Sequence, residues 1–144
     1  MSVKFVDKSD EAKARLEKNI AKALTAIGLK FQEIATKEAT AMKVVDTGRY
    51  RASLSFVTPE EESGFNPEFS KTLYSQEDDV LRGRSKPKSV RVGSGVNYAQ
   101  ALEYGTARMA GRPTIGNAVL NYNDDYKEIV AKILGEGWKI SAKI

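Results

Sequence analysis

The stretch Val96-Asn97-Tyr98-Ala99-Gln100-Ala101-Leu102-Glu103-Tyr104-Gly105-Thr106-Ala107-Arg108-Met109-Ala110-Gly111-Arg112-Pro113 decides how the chain is read. Tyr98, Ala101, Leu102 and Gly105 recur at spacings of three and four, which places them on one face of a short helix. Gly105 stands where that helix needs a residue able to take positive φ, so it reads as the C-cap. Arg108, Gly111 and Arg112 follow, and Pro113 falls in the first turn of the next helix, where its missing N–H costs nothing. The expectation is a hinge between two packed elements, made of a cap, a small basic elbow and a proline-started helix. The size and charge of the elbow suit a subunit contact. No catalytic constellation lies in it.

Downstream, Ile115, Val119, Leu120, Tyr126, Ile129, Val130, Ile133 and Leu134 supply the apolar positions of a last helix. The polar stretch Asn121 to Asp125 is a candidate interruption, and Gly135 and Gly137 end it. Trp138 and Ile140 form a short tail that reads as an edge strand. Upstream, Ser89-Val90-Arg91-Val92-Gly93 alternates as a strand does and closes with Gly93-Ser94-Gly95. That glycine pair is no phosphate loop, because no GK[ST] follows and the dinucleotide spacing is missing.

Towards the N-terminus, Ser53 to Thr58 alternates as a half-buried strand with Leu54 and Phe56 on one face. Asp46 or Thr47 can cap a single turn that carries Gly48 to Ala52. Arg49 and Arg51 project from that turn, either as solvated charge or towards a carboxylate partner, which guanidinium geometry suits. Before it, Leu16, Ile20, Leu24, Ile27, Phe31, Ile34 and Ala35 repeat at three and four, with Lys13, Lys18, Lys22, Lys30 and Lys37 on other faces. Ser9 as N-cap and Asp10 and Glu11 in the first turn start a helix that runs to about Met42, roughly 50 Å at 1.5 Å per residue. One small core cannot cover that length, so either Gly28 bends the helix or part of the stripe packs on another subunit. Val3, Phe5 and Val6 lead into it as an edge strand or a tail.

Residues 59–89 differ in character. Pro59 and the acidic Glu60 to Glu62 open a polar segment that ends in Arg82-Gly83-Arg84-Ser85-Lys86-Pro87-Lys88. Phe65, Phe69, Leu73 and Tyr74 are too sparse for a core element. Such long loops are functional or mobile, and this one is expected to order only against partners, although its acidic start and basic end can also pair across a hairpin.

Composition narrows the chemistry. The 144 residues suffice for one domain with a real core. The chain has 23 basic and 19 acidic residues, a net charge of +4, which is too slight an excess to imply nucleic acid by itself. With no cysteine and no histidine, disulfides, thiolate nucleophiles, ordinary zinc sites and imidazole acid–base chemistry are excluded. Met1 to Phe5 lacks the apolar core of a signal peptide, and no run approaches the roughly 20 apolar residues of a membrane span. A chain made in a cytoplasm, and used or assembled there, is therefore expected.

Three patches together resemble tailed-phage head–tail joining proteins. Asp46-Thr47-Gly48-Arg49-Tyr50-Arg51-Ala52-Ser53-Leu54 resembles their D-T-G-R-L-R-x-S-hydrophobic pattern. Tyr98 to Thr106 resembles their Y-A-x-x-hydrophobic-E-x-G-T, and Arg112-Pro113 with Ala118 resembles R-P-(F)-L-x-P-A. The order of the patches and the helices flanking them also match, over roughly residues 10–134. Tyr50, Thr114-Ile115 and Asn117 depart from the pattern.

The resemblance implies a neck or tail-completion protein of a long-tailed phage or prophage, assembled in the bacterial host cytoplasm and located in the virion. Such proteins form a homo-oligomeric ring, usually a hexamer, around the DNA channel between the portal or head-closure complex and the tail tube. Its partners would be itself, the head-closure and tail-terminator or tail-tube proteins, and the DNA passing through, with no cofactor, metal, membrane or catalysis. The expected fold is α+β: one domain over 1–144, with a long N-terminal and a C-terminal helix on a small, mostly antiparallel sheet. A long flexible loop or extended hairpin joins the strands at about 59–89.

A ring needs a heterologous contact between two different faces of one chain. The interface candidates are Arg49, Arg51, Glu103, Arg108 and Arg112, with Arg82, Arg84, Lys86 and Lys88 on the loop. Asp46, Thr47, Gly48, Tyr98, Gly105 and Pro113 are the structural motif. Glu103 either pairs between subunits or reaches Arg49 or Arg51 within one chain and ties the motifs together, the favoured arrangement. The loop either docks on the neighbouring ring or lines the channel. Competing readings are a tail-terminator ring, a nucleic-acid module using Arg82, Arg84, Lys86, Lys88 and Arg91, and a carboxylate-only enzyme built on Glu103 and Asp46, for which nothing shapes a substrate groove.

Overall fold

From Ser9 to Ala41 no proline interrupts the apolar repeat, and a computed structural model shows that stretch as one 33-residue helix, α1. The structure describes residues 9–42, 48–61, 64, 66, 76–135, 138 and 140. The buried positions of α1 are Ala23, Gly28, Phe31, Gln32, Ile34, Ala35 and Ala39, so only its later two-thirds enters the core. Residues 11–18 are exposed on every face. The over-long stripe is thus covered by its own chain at one end and uncovered at the other.

Short elements follow: α2 (Arg49–Ser53), β1 (Ser55–Val57), a 3-10 turn (Glu77–Asp79), β2 (Arg91–Gly93), α3 (Ala99–Tyr104), β3 (Gly105–Thr106), β4 (Met109–Ala110), α4 (Thr114–Leu120) and α5 (Asn123–Leu134). β1 pairs antiparallel with β2, Phe56 opposite Val92, and β3 pairs antiparallel with β4. The class is α+β as expected, with one difference: among the described residues the strands form two separate two-stranded ribbons. Isolated ribbons of this size are unstable in water. They persist because all five helices and the segments joining them close one core of Phe31, Ile34, Ala35, Ala39, Tyr50, Leu54, Val96, Ala99, Ala118 and Tyr126.

The expected last helix is two helices, broken at Asn121 and Tyr122. The Tyr126 hydroxyl donates to the Ala118 carbonyl at 2.6 Å and folds α5 back on α4, while the Tyr122 hydroxyl donates to the Glu38 carboxylate at 2.6 Å and ties the corner to α1. The basic elbow is no hinge but the tip of the β3–β4 hairpin. Gly105 does cap α3, its N–H donating to the Ala101 carbonyl at φ 82°. A Cβ there would lie 2.6 Å from the Gly111 nitrogen, so the backbone on either side of the hairpin packs too tightly to swing. Pro113 sits one residue before α4, not inside its first turn.

Gly28 acts by close approach. A Cβ on it would lie 2.2 Å from Cδ2 of Phe56, so the missing side chain is the seat of that ring and brings β1 onto α1. α1 runs through Gly28 as one helix. The cap expected from Asp46 or Thr47, the lead at residues 1–8, Gly137 and the middle of the 59–89 segment lie outside the described residues.

Gly28→Ala gains about 1 kcal/mol in helix propensity but overpacks the Phe56 ring, at about 1–3 kcal/mol. The expected outcome is a net loss of stability, read as a lowered urea midpoint; a raised midpoint would contradict the seat.

Candidate functional site

Gly48, at φ 79° and ψ −6°, turns the chain so that α2 starts with Arg49 pointing back across the body. The Arg49 guanidinium donates to Asp79 twice, Nε to Oδ2 and Nη2 to Oδ1, both at 2.8 Å. This is the bidentate fork that suits arginine. Asp79 sits at the end of the 3-10 turn with 3% of its side chain exposed, against 24% for Arg49. The same carboxylate accepts the Gln76 N–H at 2.9 Å. Arg49 and the Gln76 N–H hold the Asp79 carboxyl below the usual carboxylate range against the opposing effect of burial, and Asp79 in turn raises Arg49. Arg49 also lies over the Tyr98 ring, 5.8 Å from its centroid. Tyr98 packs on Tyr50 with centroids 6.5 Å apart.

The favoured pairing of Glu103 with Arg49 or Arg51 is therefore corrected. Glu103 instead accepts the backbone N–H groups of Ile115 and Gly116, both at 2.8 Å, and caps the start of α4. The first N–H groups of a helix have no partner of their own, and a carboxylate there is also favoured by the dipole. Arg51 donates to the Thr40 hydroxyl of α1 at 3.2 Å. Arg108 is exposed in the hairpin turn, its N–H donating to the Thr106 hydroxyl at 3.3 Å. Arg112 donates its N–H to the Leu102 carbonyl at 2.6 Å. Arg49, Tyr98 and Tyr50 thus stack in sequence, and Glu103 serves the architecture.

The segment expected to order only on partners is ordered on its own body at 76–89. The Gly95 N–H donates to the Asp79 carbonyl at 2.8 Å, Leu81 to the Ser55 hydroxyl at 2.9 Å, and Ser85 to the Thr58 carbonyl at 3.3 Å. Asn66 is buried and donates to the carbonyls of Leu54 (2.7 Å) and Arg51 (3.0 Å). Arg82, Arg84, Lys86 and Lys88 are exposed along a turn closed by the Ser85 hydroxyl donating to the Ser89 carbonyl and the Ser89 hydroxyl donating to the Lys86 carbonyl. Arg82 lies 3.8 Å from both Glu77 and Asp78. The Arg91 guanidinium donates to the carbonyls of Arg82 and Gly83.

Two features escaped the sequence. Asp79 is separated from Arg49 by thirty residues of chain, and its only local sign is an acidic residue three positions after Gln76. The second is an apolar groove of about 480 Å³ between α1, β2 and α5, whose walls include Ile20, Leu24, Val92, Val130 and Trp138. Among the described residues no cluster of three or more histidine, cysteine, aspartate or glutamate side chains is placed to hold a metal ion, and no helix is long and apolar enough to cross a membrane. Comparison with known proteins found no family model, no curated protein and no solved structure that matches the chain.

Arg49→Met strands a buried carboxylate, whereas Asp79→Asn leaves a guanidinium that can turn to water. Arg49→Met is expected to cost about 3–5 kcal/mol and Asp79→Asn about 2 kcal/mol; equal costs would contradict the geometry. Because the folded-state pKa of Asp79 is depressed, its contribution is complete above about pH 4 and is lost as pH falls through the folded value. Asp79→Asn should therefore flatten the acid limb of stability against pH.

Tyr50 yields a separate prediction. Its hydroxyl is the one buried side-chain polar atom without a hydrogen bond among the described residues, and burial, helped by the Glu103 charge, pushes its pKa far above the usual phenol range. Removing an unpaired donor costs little, so Tyr50→Phe should shift the thermal midpoint by less than the equivalent of about 0.5 kcal/mol, or raise it. A loss above about 1.5 kcal/mol would show that the hydroxyl has a partner.

Proposed function

We propose that the chain is a structural joining protein of a phage neck, which closes into a homo-oligomeric ring between the head-closure complex and the tail tube and surrounds the DNA channel. The resemblance of its three patches to that family motivates the reading. The observation that supports it in the structure is the free end of α1. Residues 11–18 are exposed throughout, Leu16 among them at 42%, and Leu29 further along α1 is 55% exposed. Two turns of helix so lightly covered are marginal in water, and a second subunit or a neighbouring ring would cover them. Among the described residues of the shared motifs, Glu103 holds backbone N–H groups and Arg49 holds Asp79, as suits a scaffold. The exposed basic turn at Arg82 to Lys88 is the part of the chain chemically suited to passing DNA, through phosphate neutralisation.

The test is the mass of the purified chain, by light scattering or native mass spectrometry, alone and mixed with head-closure and tail-tube proteins. A closed ring, alone or on a partner, is the expected outcome. A strict monomer that ignores both partners would overturn the proposal, and salt-sensitive DNA binding by that monomer would move the assignment to a nucleic-acid module.

A further inference from the structure

We propose that the groove between α1, β2 and α5 is a docking site for an amphipathic helix of a partner protein, one whose apolar stripe is edged with acidic residues. The groove holds about 480 Å³, and among the described residues lining it only Lys88 and Arg91 are charged. An apolar occupant with negative charge on one edge matches that lining, and one with positive charge does not. Neither Lys88 nor Arg91 makes an ion pair among the described residues.

The backbone that carries Lys88 and the guanidinium of Arg91 are both fixed. Lys88 occupies a turn at φ 56°, closed by the Ser89 N–H donating to the Lys86 carbonyl at 3.2 Å. The Arg91 guanidinium is braced on the Arg82 and Gly83 carbonyls. A charge presented by a fixed turn loses less entropy on pairing than one on a free side chain.

Length favours a helix over a small ligand. The wall formed by Ile20, Leu24 and Ile27 continues outward to Leu16, which is 42% exposed. From Leu16 to Ile27 the strip runs about 16 Å at 1.5 Å per residue, three turns of an antiparallel or parallel partner helix read through anchors at three and four. Trp138, 43% exposed at the groove, adds the large flat contact that commonly dominates such interfaces. The proposal goes beyond the ring reading and stands or falls without it.

The experiment is fluorescence anisotropy of the full chain with a labelled helical peptide of about 14 residues, its leucine stripe edged by glutamates, against the same peptide edged by lysines. The glutamate peptide should bind at least about tenfold more tightly at low salt. Lys88→Glu should remove most of that preference, and Lys88→Glu with Arg91→Glu should reverse it. Ile20→Asp, checked for unchanged circular dichroism, should weaken both peptides about tenfold or more. Equal affinities, or no binding of either peptide, would overturn the proposal. So would saturable binding of dodecanoate without peptide binding, which marks a small-amphiphile pocket. Self-association lost on Ile20→Asp would assign the groove to a second copy instead.

Discussion

Burial of one side of α1 is the constraint on which the other elements depend. No other described helix exceeds twelve residues and no strand exceeds three. Elements so short do not persist alone, because helix nucleation and strand pairing both cost more entropy than a few hydrogen bonds return. They hold because Phe31, Ile34, Ala35 and Ala39 give them a common surface. Ala35 and Ala39 are fully buried, as is Ala118 on α4, and these small side chains let the helices approach closely. Gly28 does the same for β1 through Phe56.

A fold made of short pieces has many chain ends, and each end leaves backbone groups that must be paired once buried. Side chains supply the pairing here. Glu103 takes two N–H groups of α4, Asn66 supplies two donors to carbonyls around α2, and Ser55 accepts from Leu81. Ser53 shares a hydrogen bond with Ser94 at 2.6 Å and links the segment entering β1 to the one leaving β2. Such bonds contribute about 1 kcal/mol each, and more where one group is charged. The Arg49–Asp79 fork is the strongest by this measure, and it anchors the 3-10 turn to the base of α2. The polar residues that look available for chemistry or for a partner are in good part committed to this internal work.

The sequence revealed those features that a local pattern encodes. The repeat from Leu16 to Ala35 marked the long helix, alternation marked both longer strands, and Gly105 and Gly135 marked helix ends by their freedom at positive φ. The break before α5 was visible in the run Asn121 to Asp125. Strands of two residues have no alternation to read, so the β3–β4 hairpin passed for a hinge. Pairings across distance left no local trace: nothing near Arg49 points to Asp79, and nothing near Glu103 points to Ile115. The groove was invisible for the same reason, since its walls come from α1, β2, α5 and the tail and converge only on folding.

What remains unused is the outer third of α1, the groove beside it and the basic turn on its lip. The central claim is that α1 is one helix with two unequal parts, a buried spine and a free end. Hydrogen exchange resolved along α1 in the isolated chain tests this most directly. Amides at 31–39 should exchange only with global unfolding, and those at 12–18 should exchange orders of magnitude faster through local fraying. Uniform protection from end to end would contradict the claim, because it would mean that the first turns are covered within the chain itself.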